Sequence, residues 1–233
     1  MKGKVITIEG GDRVGKHTQS ILLTDYLLSK GINTKQISFP NYGSIQAMPV
    51  ENYLAGNFPD ISSIEASMLY AFDRSITCRE EKIKEFIEDG GWVVFDRYVP
   101  SNMMYQTARE VPDENLDLSK PLPYDSKLVE DINYLEYFIL GLPKPDAIFY
   151  LNLDRKINDV LLKKDLGTDG GDIHEKNHTL LDKAANIGLQ LAQKYNWNII
   201  QCNNPRSSSI LNPQAIHLNI TKIVDTMIDR GDS

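Results

Sequence analysis

An alternating apolar stretch, Val5-Ile6-Thr7-Ile8, runs into Gly10-Gly11-Asp12-Arg13-Val14-Gly15-Lys16-His17-Thr18-Gln19. Apolar residues at helical spacing follow (Ile21, Leu22, Leu23, Tyr26, Leu27) and end at Gly31. Strand, glycine-rich loop, lysine and helix in that order predict a phosphate-binding loop over residues 10–18. Glycines let backbone N–H groups wrap phosphate oxygens, the helix N-terminus faces them, and Lys16 reaches the outer oxygens. An ordinary strand-to-helix turn is the plain alternative. One position departs from the pattern G-x-x-x-x-G-K-[ST]: His17 stands where a hydroxyl would ligate Mg²⁺. Thr18 is one residue too late to replace it, and a hard ion prefers oxygen to imidazole. Any metal must then lean on phosphates, water and carboxylates elsewhere.

The 233 residues suit one α/β domain, with 41% hydrophobic and 24% charged residues, ordinary values for a globular chain. A net charge of −7 argues against general nucleic-acid binding, which needs clustered lysine and arginine. No apolar stretch approaches the roughly 20 residues that span a bilayer, so no membrane partner is expected. The first strand begins almost at once, so no signal or transit peptide is expected. Two cysteines, Cys78 and Cys202, fit reduced thiols of a cytoplasmic protein better than a disulfide framework.

Four further apolar runs read as strands of a parallel sheet: Thr34–Phe39, Trp92–Phe95, Ala147–Leu153 and Asn198–Cys202. Helix-like segments alternate with them at Ile64–Ile87, Lys127–Leu140, Lys156–Lys164 and Lys176–Tyr195. The alternation predicts a doubly wound α/β fold, with ligands at the carboxyl ends of the strands. Val111–Ser126 reads as a loop. The stretch around Gly167–Gly171 reads as a mobile flap, because its aspartates miss the ligand spacing of an EF-hand. The third strand ends in Asp96-Arg97-Tyr98. A carboxylate at a strand tip can hold Mg²⁺ or its water, and the adjacent arginine can clamp phosphate oxygens. Taken alone this is also what a structural Asp–Arg pair looks like.

Four signatures together resemble the thymidylate kinases, kinases of the P-loop NTPase fold that move the γ-phosphoryl of ATP to dTMP. They are GGDRVGKHTQ at 10–19, Met68-Leu69-Tyr70-Ala71-Phe72-Asp73-Arg74, DRYVPSNMMYQTAR at 96–109, and Leu142-Pro143-Lys144-Pro145-Asp146. The resemblance implies one domain over 1–233: a five-stranded parallel sheet flanked by helices, an acceptor-binding region at about 39–110, and a flexible lid at about 163–175. It implies ATP and Mg²⁺ as cofactors, nucleotides as the only small-molecule partners, and a homodimer. Gly10, Gly11, Asp12, Arg13, Val14, Gly15, Lys16, His17 and Thr18 would contact ATP, with Arg206 stacking on adenine. By the same resemblance Tyr70 stacks on thymine, Arg74 hydrogen-bonds the base, Asn102 reads its edge and Tyr105 crowds the sugar 2′ position. Gln106, Ser101, Phe39 and Pro40 complete the pocket. Arg97 would grip the acceptor phosphate, Asp96 would face the metal, and Asp12 would meet the sugar 3′-OH and metal-bound water.

Three departures stand out. Asp172-Ile173-His174-Glu175 replaces the D-R-x-E lid stretch, so the lid, with Lys163, Lys164, Asp172 and Glu175, lacks its arginine. Arg13 in the loop is the expected substitute, because transfer needs a cation at the bridging oxygen. Asn41-Tyr42 follows Phe39-Pro40 where members place an arginine, which leaves Arg97 more of the acceptor phosphate. His17 is the third. Two other readings stay open: a P-loop kinase for another pyrimidine nucleotide, and a weakly active nucleotide-binding relative.

Overall fold

In a computed structural model of the chain, the described residues are 3–114, 116–154, 157, 177–204 and 209–229. Strand β1 (Val5–Gly10) leads to α1 (Lys16–Ser29), β2 (Thr34–Ser38), α2 (Met48–Leu54), α3 (Ser63–Glu80) and α4 (Ile83–Glu88). Then come β3 (Trp92–Asp96), α5 (Val99–Glu110), α6 (Ser126–Asn133) with a π-turn over Tyr134–Ile139, and β4 (Ala147–Asn152). Helix α7 (His178–Lys194), β5 (Asn198–Gln201), a small β6–β7 ladder (Asn203–Asn204 with Ser209–Ile210) and α8 (Pro213–Asp229) complete the described chain. The sheet is five-stranded in the order β2-β3-β1-β4-β5, and every pairing is parallel.

Alternation along β1 explains the layering. Ile6 and Ile8 enter a core with Leu23 and Leu27 of α1 and Ile216, Ile220 and Val224 of α8. Val5 faces the other way, into a core with Val93, Phe95, Met104 of α5 and Ile187 and Leu191 of α7. Successive strand side chains point to opposite faces, so Glu9 falls on the α5 side. Gly10 has no room for a side chain: a Cβ there would lie 2.6 Å from the Leu151 carbonyl oxygen of β4.

The expected helix over Ile64–Ile87 is two helices, interrupted at Lys82, whose φ is +50°. The expected helix over Lys127–Leu140 begins as α6 and then widens into the π-turn. Two helices have no counterpart in the sequence reading. Helix α2 is too short for a periodic signal. In α5 ten of twelve residues are buried, from Val99 to Ala108, which erases the polar face that marks an amphipathic helix. The expected helix over Lys156–Lys164 and the lid lie outside the described residues, apart from Ile157 in the former.

Candidate active site

Loop 10–15 joins β1 to α1, and its backbone is set for the turn. Gly15 caps α1 with φ +88°, and Arg13 holds φ +60°, unusual for a residue with a side chain. Lys16 lies almost fully buried on the first turn of α1 and donates through Nζ to the Gly11 carbonyl at 2.5 Å. Burial and the neighbouring Arg97 pull its ammonium down to about 8. His17 and Thr18 are exposed.

At the tip of β3, Arg97 also takes a left-handed backbone, φ +63°. Tyr98 stacks on Phe95, 4.2 Å between ring centroids, while the Arg97 guanidinium donates through Nη2 to Asp12 Oδ1 at 2.7 Å and through Nη1 to the Tyr105 hydroxyl at 3.3 Å. Burial raises the Asp12 carboxyl, but Arg97 and Lys16 outweigh it and hold it below the usual range. Glu9 fixes this turn from beneath. Its Oε1 accepts from the Tyr98 N–H at 2.7 Å and the Ser101 N–H at 3.3 Å, and its Oε2 from the Ser101 hydroxyl at 2.6 Å. The N-cap residue of α5, Tyr98, has no side-chain cap of its own. A carboxylate at a helix N-terminus suits the exposed N–H groups there. Burial pushes the Glu9 carboxyl up to about 7 against these bonds.

A cleft opens above the strand tips, the concave setting that small-molecule sites use. Asp12, Phe39, Pro40, Tyr70, Arg74, Arg97, Ser101, Asn102, Tyr105 and Gln106 all line it, with Tyr42, Leu54 and Leu181 besides. The structure thus gathers every residue assigned above to the acceptor around one opening. Asn102 donates through Nδ2 to the Ser67 carbonyl at 3.0 Å and to Glu136 Oε1 at 2.8 Å. Both partners only accept, so the amide orientation is fixed, and its buried Oδ1 has no partner. Gln106 Oε1 accepts from Arg109 at 3.0 Å, which leaves its buried Nε2 without one. Arg74 is held by Glu136 through Nε and Nη2, both at 2.6 Å; Nη1 is the nitrogen that Glu136 does not hold. Two donors, Arg74 and Gln106 Nε2, and one acceptor, Asn102 Oδ1, therefore line the cleft. With Asn102 Oδ1 opposite N3–H and a donor on either side, that set complements the acceptor–donor–acceptor edge of a 2,4-dioxopyrimidine. Cytosine presents donor–acceptor–acceptor and guanine acceptor–donor–donor, and each would face at least one like-for-like clash, which is costly when buried.

For a divalent ion, Asp96 at the tip of β3 offers an oxygen beside His17 at the start of α1. Its Oδ2 meets His17 Nδ1 at 3.0 Å and accepts from the Ser38 hydroxyl at 3.3 Å. Among the described residues no group of three or more His, Cys, Asp or Glu side chains is arranged to hold a metal. One carboxylate beside a phosphate loop still fits Mg²⁺, which keeps waters and takes most other ligands from nucleotide phosphates. Lys163, Lys164, Asp172, Glu175 and Arg206 lie outside the described residues. The sequence reading missed Glu9 and Glu136. An acid ending the apolar run Val5–Ile8 signals the first; the π-turn hides the second by shifting the helical period.

The five-stranded parallel sheet with its glycine-rich loop after β1 defines a P-loop NTPase fold. The chain belongs to the thymidylate kinase family, whose profile matches residues 8–210. It is 33% identical over 152 residues to a thymidylate kinase of Plasmodium falciparum (isolate 3D7), a match covering 65% of this chain and 62% of that one. The chain thus spans about three fifths of that relative's length. With a Clavibacter sepedonicus thymidylate kinase it shares 31% identity over 208 residues, 88% of this chain and 90% of the other. The solved thymidylate kinase of Candida albicans superposes with a TM-score of 0.70 at 22% identity, covering 97% of this chain and 92% of that structure.

Proposed function

We propose that this chain transfers the γ-phosphoryl group of ATP to dTMP, giving dTDP and ADP. The observation that carries the reading is that two donors and one acceptor, from Arg74, Gln106 and Asn102, line one cleft with Arg97 and with Asp12 of the phosphate loop. Tyr70 stacks on the base and Tyr105 crowds the sugar 2′ position. Asp12 faces the 3′-OH. Arg97 holds the acceptor phosphate with a fork that matches its oxygens. Lys16 and Arg13 meet the donor phosphates, and Arg13 balances charge at the bridging oxygen in place of a lid arginine.

An oxygen of the dTMP phosphate attacks Pγ, the bond from Pγ to the β–γ bridging oxygen breaks, and ADP leaves with that oxygen. No proton need move, so catalysis is alignment and charge neutralisation. Bound Mg²⁺, with Asp96 towards it, would supply charge neutralisation across the β- and γ-phosphates. A coupled ADP-release assay with dTMP, dUMP, UMP, dCMP, dGMP and AMP tests the reading. Turnover on dTMP, with little on UMP, dCMP or dGMP, supports it. No turnover with any acceptor overturns it in favour of a nucleotide-binding relative.

We also infer a homodimer. Met68 and Phe72 of α3, with Tyr134, Phe138 and Ile139 of the π-turn, are large apolar side chains between 49% and 74% exposed, as an apolar interface would leave them in one copy. Sedimentation at monomer mass would refute it. Two buried free thiols, Cys78 and Cys202, support a reducing, cytoplasmic setting.

A further inference from the structure

The π-turn over Tyr134–Ile139 inverts the usual rule of burial. Its acidic residue, Glu136, is its one buried side chain, while Tyr134, Phe138 and Ile139 face outward. The wide turn is closed by the Leu140 N–H donating to the Leu135 carbonyl at 2.9 Å, and such turns recur at functional sites because they re-aim a side chain. Here the side chain aimed inward is fully buried and meets two residues of the base edge at once. Both carboxylate oxygens accept from Arg74 at 2.6 Å, and Oε1 also accepts from Asn102 Nδ2 at 2.8 Å.

We propose that Glu136 is the positioning residue that sets base specificity, by locking Arg74 as a donor and Asn102 as an acceptor towards the cleft. The inference rests on the dTMP reading above. A buried ion pair is weak evidence of stability, because desolvation offsets its attraction. Preorganisation accounts for it better. By occupying Nε and Nη2 of Arg74, Glu136 leaves Nη1 for a ligand. By taking one Nδ2 hydrogen of Asn102, with Ser67 taking the other, it forces Oδ1 to be the atom that remains. Without the carboxylate the guanidinium is free to swing, and one of the two anchors of the amide is lost. The cleft then reads the 4-oxo, N3–H edge less sharply against the 4-amino, N3 edge.

Glu136→Gln and Glu136→Asp test this. The first keeps the shape and removes the charge. The second keeps the charge but withdraws the carboxylate by one methylene, so it remains informative if the first folds poorly. Steady-state kinetics on dTMP and dCMP, with MgATP varied separately, is the readout. The expected result is a dTMP KM raised about tenfold or more, kcat within about threefold, MgATP KM unchanged, and a dTMP-over-dCMP preference reduced about tenfold. A merely structural role would move kcat and both KM values together and would overturn the proposal; a lower melting temperature is expected in either case, because Arg74 loses its buried partner. So would an aspartate variant with wild-type dTMP KM and preference. If wild-type protein fails to phosphorylate dTMP, the parent reading falls first; if wild type is active and both variants match it, the Glu136 inference alone falls.

Discussion

Replacing Glu9 by Gln should flatten the stability of this protein across the weakly acidic range. Glu9 is fully buried, and its carboxyl rises from the usual 4.5 to about 7. Below about pH 4.5 the group is protonated in folded and unfolded chains alike, and its full contribution is present. Between about pH 4.5 and about pH 7 the unfolded chain releases the proton while the folded chain keeps it, so stability is lost as the pH rises. A tenfold difference in proton affinity is worth about 1.4 kcal/mol, so the whole window amounts to about 3 kcal/mol. Glutamine carries no titrating proton but preserves the contacts: its oxygen can accept from the Tyr98 N–H and its amide can donate to the Ser101 hydroxyl. Lys16, near 8, and Glu9 act on each other's charge, so the comparison is confined to about pH 7 and below; the other acids are shared by both proteins. Urea unfolding at several pH values between about pH 4 and about pH 7, for wild type and Glu9→Gln, isolates the difference. Wild-type stability minus variant stability should fall by about 3 kcal/mol as the pH rises. Parallel curves would refute the claim that Glu9 keeps its proton through burial.

Arg13→Ala should lower kcat by about 10² to 10³ while ATP affinity stays within a few fold, because the cation acts on charge that develops at the bridging oxygen. Unchanged turnover would assign the charge elsewhere. His17→Thr restores an oxygen beside Asp96, now met by imidazole at 3.0 Å; the Mg²⁺ concentration for half-maximal ATP binding should drop about tenfold, and an unaltered Mg²⁺ titration would place the ion away from His17. Gly188→Ala puts a Cβ 2.6 Å from Met104 Cε and 2.8 Å from the Tyr150 ring. Overpacking between α7, α5 and β4 should outweigh the helix propensity gained and lower stability by about 1–2 kcal/mol, read as a drop of about 2–8 °C in Tm; a higher Tm would show that the contact relaxes freely.

What the sequence made legible was what carries a local signature. The strands appear as short apolar runs, and all five fall within a residue or two of their positions. The phosphate loop shows because glycines, lysine and helix must be adjacent. The substrate cleft is harder, since its members come from the loop, the Phe39-Pro40 turn, α3 and α5. Only the resemblance to a known family brought Tyr70, Arg74, Asn102 and Tyr105 into one group. Buried acids stayed hidden. Glu136 sits in Tyr134-Leu135-Glu136-Tyr137, where a regular helix would give no reason to turn the acid inward, and the π-turn that does so leaves no compositional trace. Helix α5 was lost for the opposite reason: burial on nearly every side removed its period.

The two arginine pairs in the cleft differ in a way that bears on the proposed reaction. Arg74 and Glu136 are 2% and 0% exposed, and Glu136 meets the guanidinium with both oxygens. Breaking such a pair leaves an uncompensated buried charge, which costs about 3–5 kcal/mol. No ordinary ligand dissociates it, so it behaves as fixed scaffold. Arg97 and Asp12 are 27% and 12% exposed, joined by one contact of 2.7 Å. That pair is half-buried and held by one contact, so its exchange costs less than that of the first. An incoming phosphate brings more negative charge than one carboxylate and accepts two parallel bonds from the guanidinium fork, so it competes well for Arg97. Asp12 released by that exchange stays beside the phosphate loop, available to a sugar hydroxyl or to water on a bound cation. On the proposed reaction, recognition of the base would thus rest on a pair that stays closed, and recognition of the phosphate on one that opens. Asp12→Asn, which removes the competing charge, should therefore tighten binding of inorganic phosphate at Arg97. Weaker phosphate binding in that variant would show that Asp12 holds Arg97 in place rather than occupying its ligand position.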